Sequence, residues 1–170
     1  MKKIICVLGL CISVLACKQE QKNKDCPTGK PLPIFNKDIH IVKNHSFTST
    51  GQSSTEEVNL SNQIHLEIYQ QGCDTLFQSF RFRYPTKIAQ DSFVVVIDSA
   101  VNQFKFLSGS DQKLKPFSLW SDALTQIRPH AIQGEYLALG QGINLKIDKL
   151  EQEKGTTILI DVMQIVSTSK

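Results

Sequence analysis

The chain has 170 residues, of which 41% are hydrophobic, 21% charged and 8% aromatic, and it carries 19 Lys+Arg against 16 Asp+Glu for a formal charge of +3. These are the proportions of one ordinary globular domain, and they exclude a disordered tail, a collagen-like repeat and a polytopic membrane protein. The charges are spread along the chain without a block of one sign, so there is no electrostatic footprint for nucleic acid.

The N-terminus reads as an export signal. Met1-Lys2-Lys3 supplies a positive start, Ile4 to Leu15 an apolar stretch, and Val14-Leu15-Ala16-Cys17 stands where cleavage would fall. The apolar run stops at Lys18, short of the roughly 20 residues needed to cross a bilayer. It is also apolar on every face, unlike an ordinary core helix.

Val14-Leu15-Ala16-Cys17 resembles the bacterial lipobox, in which a small residue precedes a cysteine that receives a diacylglycerol before the leader is removed. The resemblance covers the leader and the new N-terminus only. It implies residues 1–16 as a lipoprotein signal peptide, Cys17 as the lipidation site and the membrane as a partner held through the N-terminal lipid. Lys18, in place of aspartate after the acceptor, resembles the enterobacterial pattern that sends a lipoprotein to the outer membrane. A plain secretory signal cut after Ala16 is the alternative, and both export the chain. Cleavage takes away Lys2 and Lys3 and no acidic residue, so the mature charge is +1. Anchoring then falls to the acyl chains, each buried CH₂ contributing about 0.8 kcal/mol.

Of five cysteines, Cys6 and Cys11 leave with the leader and Cys17 is acylated, which leaves Cys26 and Cys73. In an oxidising compartment two remaining thiols are expected to pair. Closing that loop would stabilise the fold by roughly 4 kcal/mol on the chain-entropy model. A reactive Cys73 or a metal site is the rival reading. There is no Cys-x-x-Cys, and His40, His45, His65 and His130 are scattered.

Residues 17–36 read as a polar tether, with Pro27, Pro31 and Pro33 and a single aromatic, Phe35. Residues 37–170 then form one domain, long enough to bury a core. Ser46 to Thr55, rich in Ser, Thr and Gly, is expected to be an exposed loop. Ile64, Leu66 and Ile68, then Phe80, Phe82 and Tyr84, alternate with polar residues on either side of a Gln70-to-Asp74 turn, which predicts a β-hairpin closed by Pro85. Its outward face carries Arg81 and Arg83.

Phe93, Ile97, Ala100, Val101, Phe104 and Leu107 recur at helical spacing behind Asp91 or Ser92 as cap, with Gly109 after the end. The β-branched run Val94-Val95-Val96 also fits a buried strand, and the longer periodicity favours the helix. A second helix fits Leu119 to Arg128, capped by Ser118 and stopped by Pro129. Tyr136 to Leu139, Ile143 to Asp148 and Ile158 to Val162 return to strands, with Glu151 to Gly155 as a turn whose glycine is expected at positive φ. The order ββ-αα-βββ predicts an α+β fold, a single antiparallel sheet with two helices on one face.

No Gly-x-Ser-x-Gly, Walker, His-Glu-x-x-His or Gly-x-Gly-x-x-Gly motif is present, and Gly140-Gln141-Gly142 reads as a turn between strands. His40 and His45 read as solvated. Arg81, Arg83 and Lys87 form a short basic stripe that could take an acidic partner, or else serve as an exposed strand face that discourages aggregation. Phe106 is either an interface anchor or a second layer of core. No cofactor is called for. The expectation is a non-enzymatic binding module with an envelope protein as partner, similar in format to small envelope lipoproteins that neutralise a wall-degrading toxin or inhibit a lysozyme. The alternatives are an envelope hydrolase using dispersed residues such as His130 with Asp122 or Glu135, and an accessory of an outer-membrane assembly.

Overall fold

The computed structural model describes residues 30–72, 75–88 and 92–165. Seven strands, β1 (Val42–Thr50), β2 (Ser53–Leu60), β3 (His65–Gly72), β4 (Thr75–Tyr84), β5 (Tyr136–Gly140), β6 (Ile143–Glu151) and β7 (Thr156–Ile165), form one antiparallel sheet in the order β1-β2-β3-β4-β7-β6-β5. Helices α1 (Phe93–Ser110) and α2 (Phe117–Ile127), joined by a 3₁₀ turn at Gln112–Leu114, connect β4 to β5. The fold is α+β with a single sheet, in the order ββββ-αα-βββ, two strands more than expected before the helices.

The expected loop from Ser46 to Thr55 is instead the β1–β2 hairpin, with Gly51 at φ +64 in its turn. Its alternation is hidden because two of the four inward positions of β2 are polar: Ser54 and Glu56 are buried beside Val58 and Leu60. β1 is an edge strand, half-buried at best and irregular in register between Val42 and Asn44. A bulged edge at β1 and a five-residue edge at β5 both limit pairing with another chain.

The hairpin of β3 and β4 lies where the alternation put it. Leu66 and Ile68 pair with Phe82 and Phe80, and these in turn with Ile158 and Ile160 of β7, to form the inner face. Against it pack Val96, Ile97, Ala100, Phe104 and Leu107 of α1, and Phe117, Leu124 and Ile127 of α2. Phe104 is the hub of the aromatic packing: its ring meets Phe80 and Phe82 edge-on at 5.3 and 5.2 Å and stacks on Phe117 at 5.7 Å. Edge-to-face pairs of this kind add about 0.5–1.5 kcal/mol each beyond area burial. Phe106 is partly buried against this core, a second layer and no exposed anchor.

Four details depart from expectation. Helix α1 runs through Gly109 to Ser110 with Asp111 as its C-cap, and α2 begins at Phe117 behind Pro116, two residues before its expected start. Gly155 is not among the positive-φ glycines. It is glycine because a Cβ there would lie 2.2 Å from the Tyr84 carbonyl oxygen, where the chain after β6 crosses the end of β4. The packed unit also starts earlier than residue 37: Phe35 is 2% exposed and its ring lies 5.9 Å from that of Phe117.

Residues 34 and 35 are fastened by Glu56. This carboxylate, 0% exposed, accepts the backbone N–H of Ile34 at 2.9 Å and of Phe35 at 2.8 Å, and meets His45 Nε2 at 2.7 Å. His45 is therefore a partly buried partner and not a solvated histidine. His40 is exposed, as expected.

Candidate functional site on the open sheet face

Alternation gives every strand a second face, and both helices lie on the first. The second face is built of cross-strand rows fixed by register. One row runs Ser46, Glu57, Glu67, Arg81, Leu159, Asp148. The next runs Thr55, Tyr69, Ser79, Asp161, Lys146, Tyr136. Between the charges sit half-buried apolar groups: Phe77, Leu159 and Met163.

Two charged clusters organise this face. In the first, Arg81 Nη1 donates to Glu67 Oε1 at 2.9 Å and Arg83 Nη2 to Glu67 Oε2 at 2.5 Å. In the second, Lys146 Nζ pairs with Asp161 Oδ2 at 2.8 Å, and the same ammonium lies 5.1 Å from the centre of the Tyr136 ring. The hydrogen bond to Asp161 holds the Lys146 ammonium above its ordinary range, against some desolvation. Asp161 is only 7% exposed although it belongs to the open face, because the Lys146 side chain lies across it.

Glu57 and Glu67 stand directly opposite each other on neighbouring strands, with His65 beside them. The imidazole Nδ1 is 2.7 Å from Asn59 Oδ1, its cross-strand partner. Its Nε2 is buried and has no hydrogen-bond partner. A void of about 40 Å³, lined by Asn44, Ser46, Glu57, Val58, Asn59 and His65, opens beside it.

The expected basic stripe is thus divided. Arg81 and Arg83 share one carboxylate, while Lys87 is exposed in the segment beyond Pro85. Cys17, Cys26 and Cys73, with the expected lipidation and disulfide, lie outside the described residues. His130, Asp122 and Glu135 are all exposed, and their side chains make no hydrogen bond to one another. Glu57, Asn59, His65 and Glu67 were not singled out from sequence as a site. The available signal was two i,i+2 pairs, Glu57 with Asn59 and His65 with Glu67, which share a face once both segments are strands.

The apolar groove of about 310 Å³ between β4 and α2, lined by Ile34, Phe80, Phe117, Leu119 and Trp120 among others, holds no charged side chain except Lys113. No helix among the described residues is long and apolar enough to cross a membrane. No family model, no curated protein and no solved structure matches the chain.

Proposed function

We propose that this chain is a lipoprotein of a bacterial envelope, cleaved before Cys17, anchored in the outer membrane by acyl groups on that residue, and acting as a non-enzymatic binding module. The partner is an envelope protein, with a wall-degrading enzyme or toxin as the class the format favours. The observation that supports this is the uncovered sheet face, where aromatic and aliphatic groups alternate with charges, among them the Arg81–Glu67–Arg83 and Lys146–Asp161 pairs. Such a mixture suits a protein interface: apolar contacts supply affinity, and ordered charges supply register.

Arg81 and Arg83 enter that interface as a fixed pair around Glu67, so the cluster presents one net positive charge to the partner in place of the bare basic stripe read from sequence. The test is capture from envelope extract by the wild-type chain and by the double variant Leu159→Lys, Met163→Lys, followed by assay of the captured enzyme. Retention and inhibition by the wild type, both lost in the variant, support the reading. Retention indifferent to these substitutions, or no retained protein, overturns it. Capture of outer-membrane assembly components would move the chain to the accessory role. Intact mass of the chain from its native membrane tests the anchor and the Cys26–Cys73 pairing separately, with and without reductant.

A further inference from the structure

We propose that Glu57, His65 and Glu67 form a binding site for one divalent transition-metal ion of the zinc class on the open sheet face, with Asn59 as its positioning residue. A donor atom from each of the three ligands lies within 4.8 Å of the other two. Ligands held about 2.1 Å from a tetrahedral zinc ion stand about 3.4 Å apart, so closure needs only small rotations of the two glutamate side chains.

The imidazole carries the argument. Asn59 Oδ1 can only accept a hydrogen bond, so Nδ1 of His65 bears the proton and Nε2 of the neutral ring presents its lone pair. That lone pair is buried and unpartnered, and buried polar atoms without partners are uncommon enough to require a reason. A metal ligand supplies one, since ligating histidines usually pass their second N–H to an oxygen acceptor that fixes tautomer and ring orientation. The void of about 40 Å³ against Glu57, Asn59 and His65 leaves room beside the ring for an ion or a bound water.

The carboxylates point the same way. Like charges directly opposite on neighbouring strands destabilise a sheet, yet Glu57 and Glu67 are placed so. Arg81 and Arg83 neutralise Glu67, whereas Glu57 has no ion-pair partner among the described residues. Each Glu67 oxygen accepts one arginine hydrogen bond and keeps a lone pair for a metal. One nitrogen and two carboxylates favour a zinc-class ion over calcium, which takes oxygen ligands. Three protein ligands leave a fourth position open to water or to a donor on a partner. The two guanidiniums oppose a dication, so affinity is expected to rise when either is removed.

The test is calorimetric titration of the full chain with Zn²⁺ at neutral pH, with Co²⁺ absorption as a second readout that separates nitrogen and oxygen ligation from thiolate ligation at Cys26 or Cys73. One ion per chain is expected, with affinity reduced at least about tenfold by His65→Gln and by Glu57→Gln, and increased by Arg83→Gln. Asn59→Ala is expected to weaken binding by about 10- to 100-fold, the range for loss of such a supporting group. Each variant is checked by circular dichroism, and Lys87→Gln serves as a folded control with unchanged affinity. Absence of saturable binding by the wild type, a thiolate Co²⁺ spectrum, or binding unchanged in His65→Gln overturns the proposal. Metal binding is measured on the chain alone, so its failure is distinct from failure of the partner reading.

Discussion

Replacing Glu56 with alanine tests how the segment ahead of β1 is held to the sheet. The carboxylate is fully buried and satisfies three donors: the N–H groups of Ile34 and Phe35, and His45 Nε2. Removing it leaves two backbone donors at or near the core without an acceptor, at about 1–3 kcal/mol each. Relief of the carboxylate's own desolvation offsets part of that cost, and the space left by the side chain adds to it. The balance is a loss of about 2–5 kcal/mol, dominated by the two backbone donors left unpaired. His45→Ala removes one donor of three and leaves the backbone bonds intact, so it should cost about 1 kcal/mol. Trp120, the single tryptophan, packs 6.2 Å from Phe80 and reports unfolding in urea by fluorescence. Hydrogen exchange at the amides of Ile34 and Phe35 localises the effect. A Glu56→Ala penalty below about 1 kcal/mol, or unchanged exchange at both amides, would refute the reasoning.

Phe104→Ala should cost about 3–5 kcal/mol in the same urea assay, since it empties the centre of four packed rings, while Leu119→Ala, at a position 66% exposed, should be nearly silent. Gly155→Ala puts a Cβ 2.2 Å from the Tyr84 carbonyl oxygen and should cost about 1–3 kcal/mol; a neutral result would mean the crossing of β4 by this turn is looser than described. The hydrogen bonds from Arg128 hold the Asp98 carboxyl below its ordinary value of 3.8, against an opposing desolvation. Because the folded-state value is the lower one, the pair's contribution is present above the ordinary value and lost as pH falls through the folded value. Unfolding midpoints of wild type and Asp98→Asn should therefore differ slightly at neutral pH and converge in acid. Parallel curves down to low pH would count against the bridge.

How much was legible follows from what each segment buries. β3, β4, α1 and β6 expose one period because their inward positions are mostly apolar, Gln70, Gln78 and Gln103 being exceptions that do not break it, and the sequence pattern locates them within a few residues. β2 buries Ser54 and Glu56 where that pattern needs apolar groups, so period-2 reading fails there, and with it the partner strand β1. The candidate site inherits the failure. His65 and Glu67 lie on a strand that alternation identifies, but Glu57 and Asn59 join them only through the β2–β3 register, which is not visible until β2 is known to be a strand. The reading of Arg81 and Arg83 as outward-facing was right for the same reason that β4 was legible. Their capture by Glu67 needed register as well.

The buried carboxylate that obscures β2 also fastens the chain ahead of β1. Glu56 points to the helix side of the sheet, between Val58 and Ser54 and opposite Ile68, and there it holds residues 34 and 35 against Phe117 of α2. The chain therefore enters the domain within the helix layer. Glu57, the next residue, points to the other side and opposes Glu67 on the open face. Two adjacent glutamates thus divide the work across one strand: one fastens the entering chain, and the other belongs to the surface proposed for metal and partner. Residues 34 and 35 thus lie on the side of the sheet opposite the face proposed for binding. Loosening residues 34 and 35 by Glu56→Gln should raise exchange at their amides while leaving Zn²⁺ affinity at Glu57, His65 and Glu67 within about twofold, because the two sites share a strand but face opposite sides of the sheet.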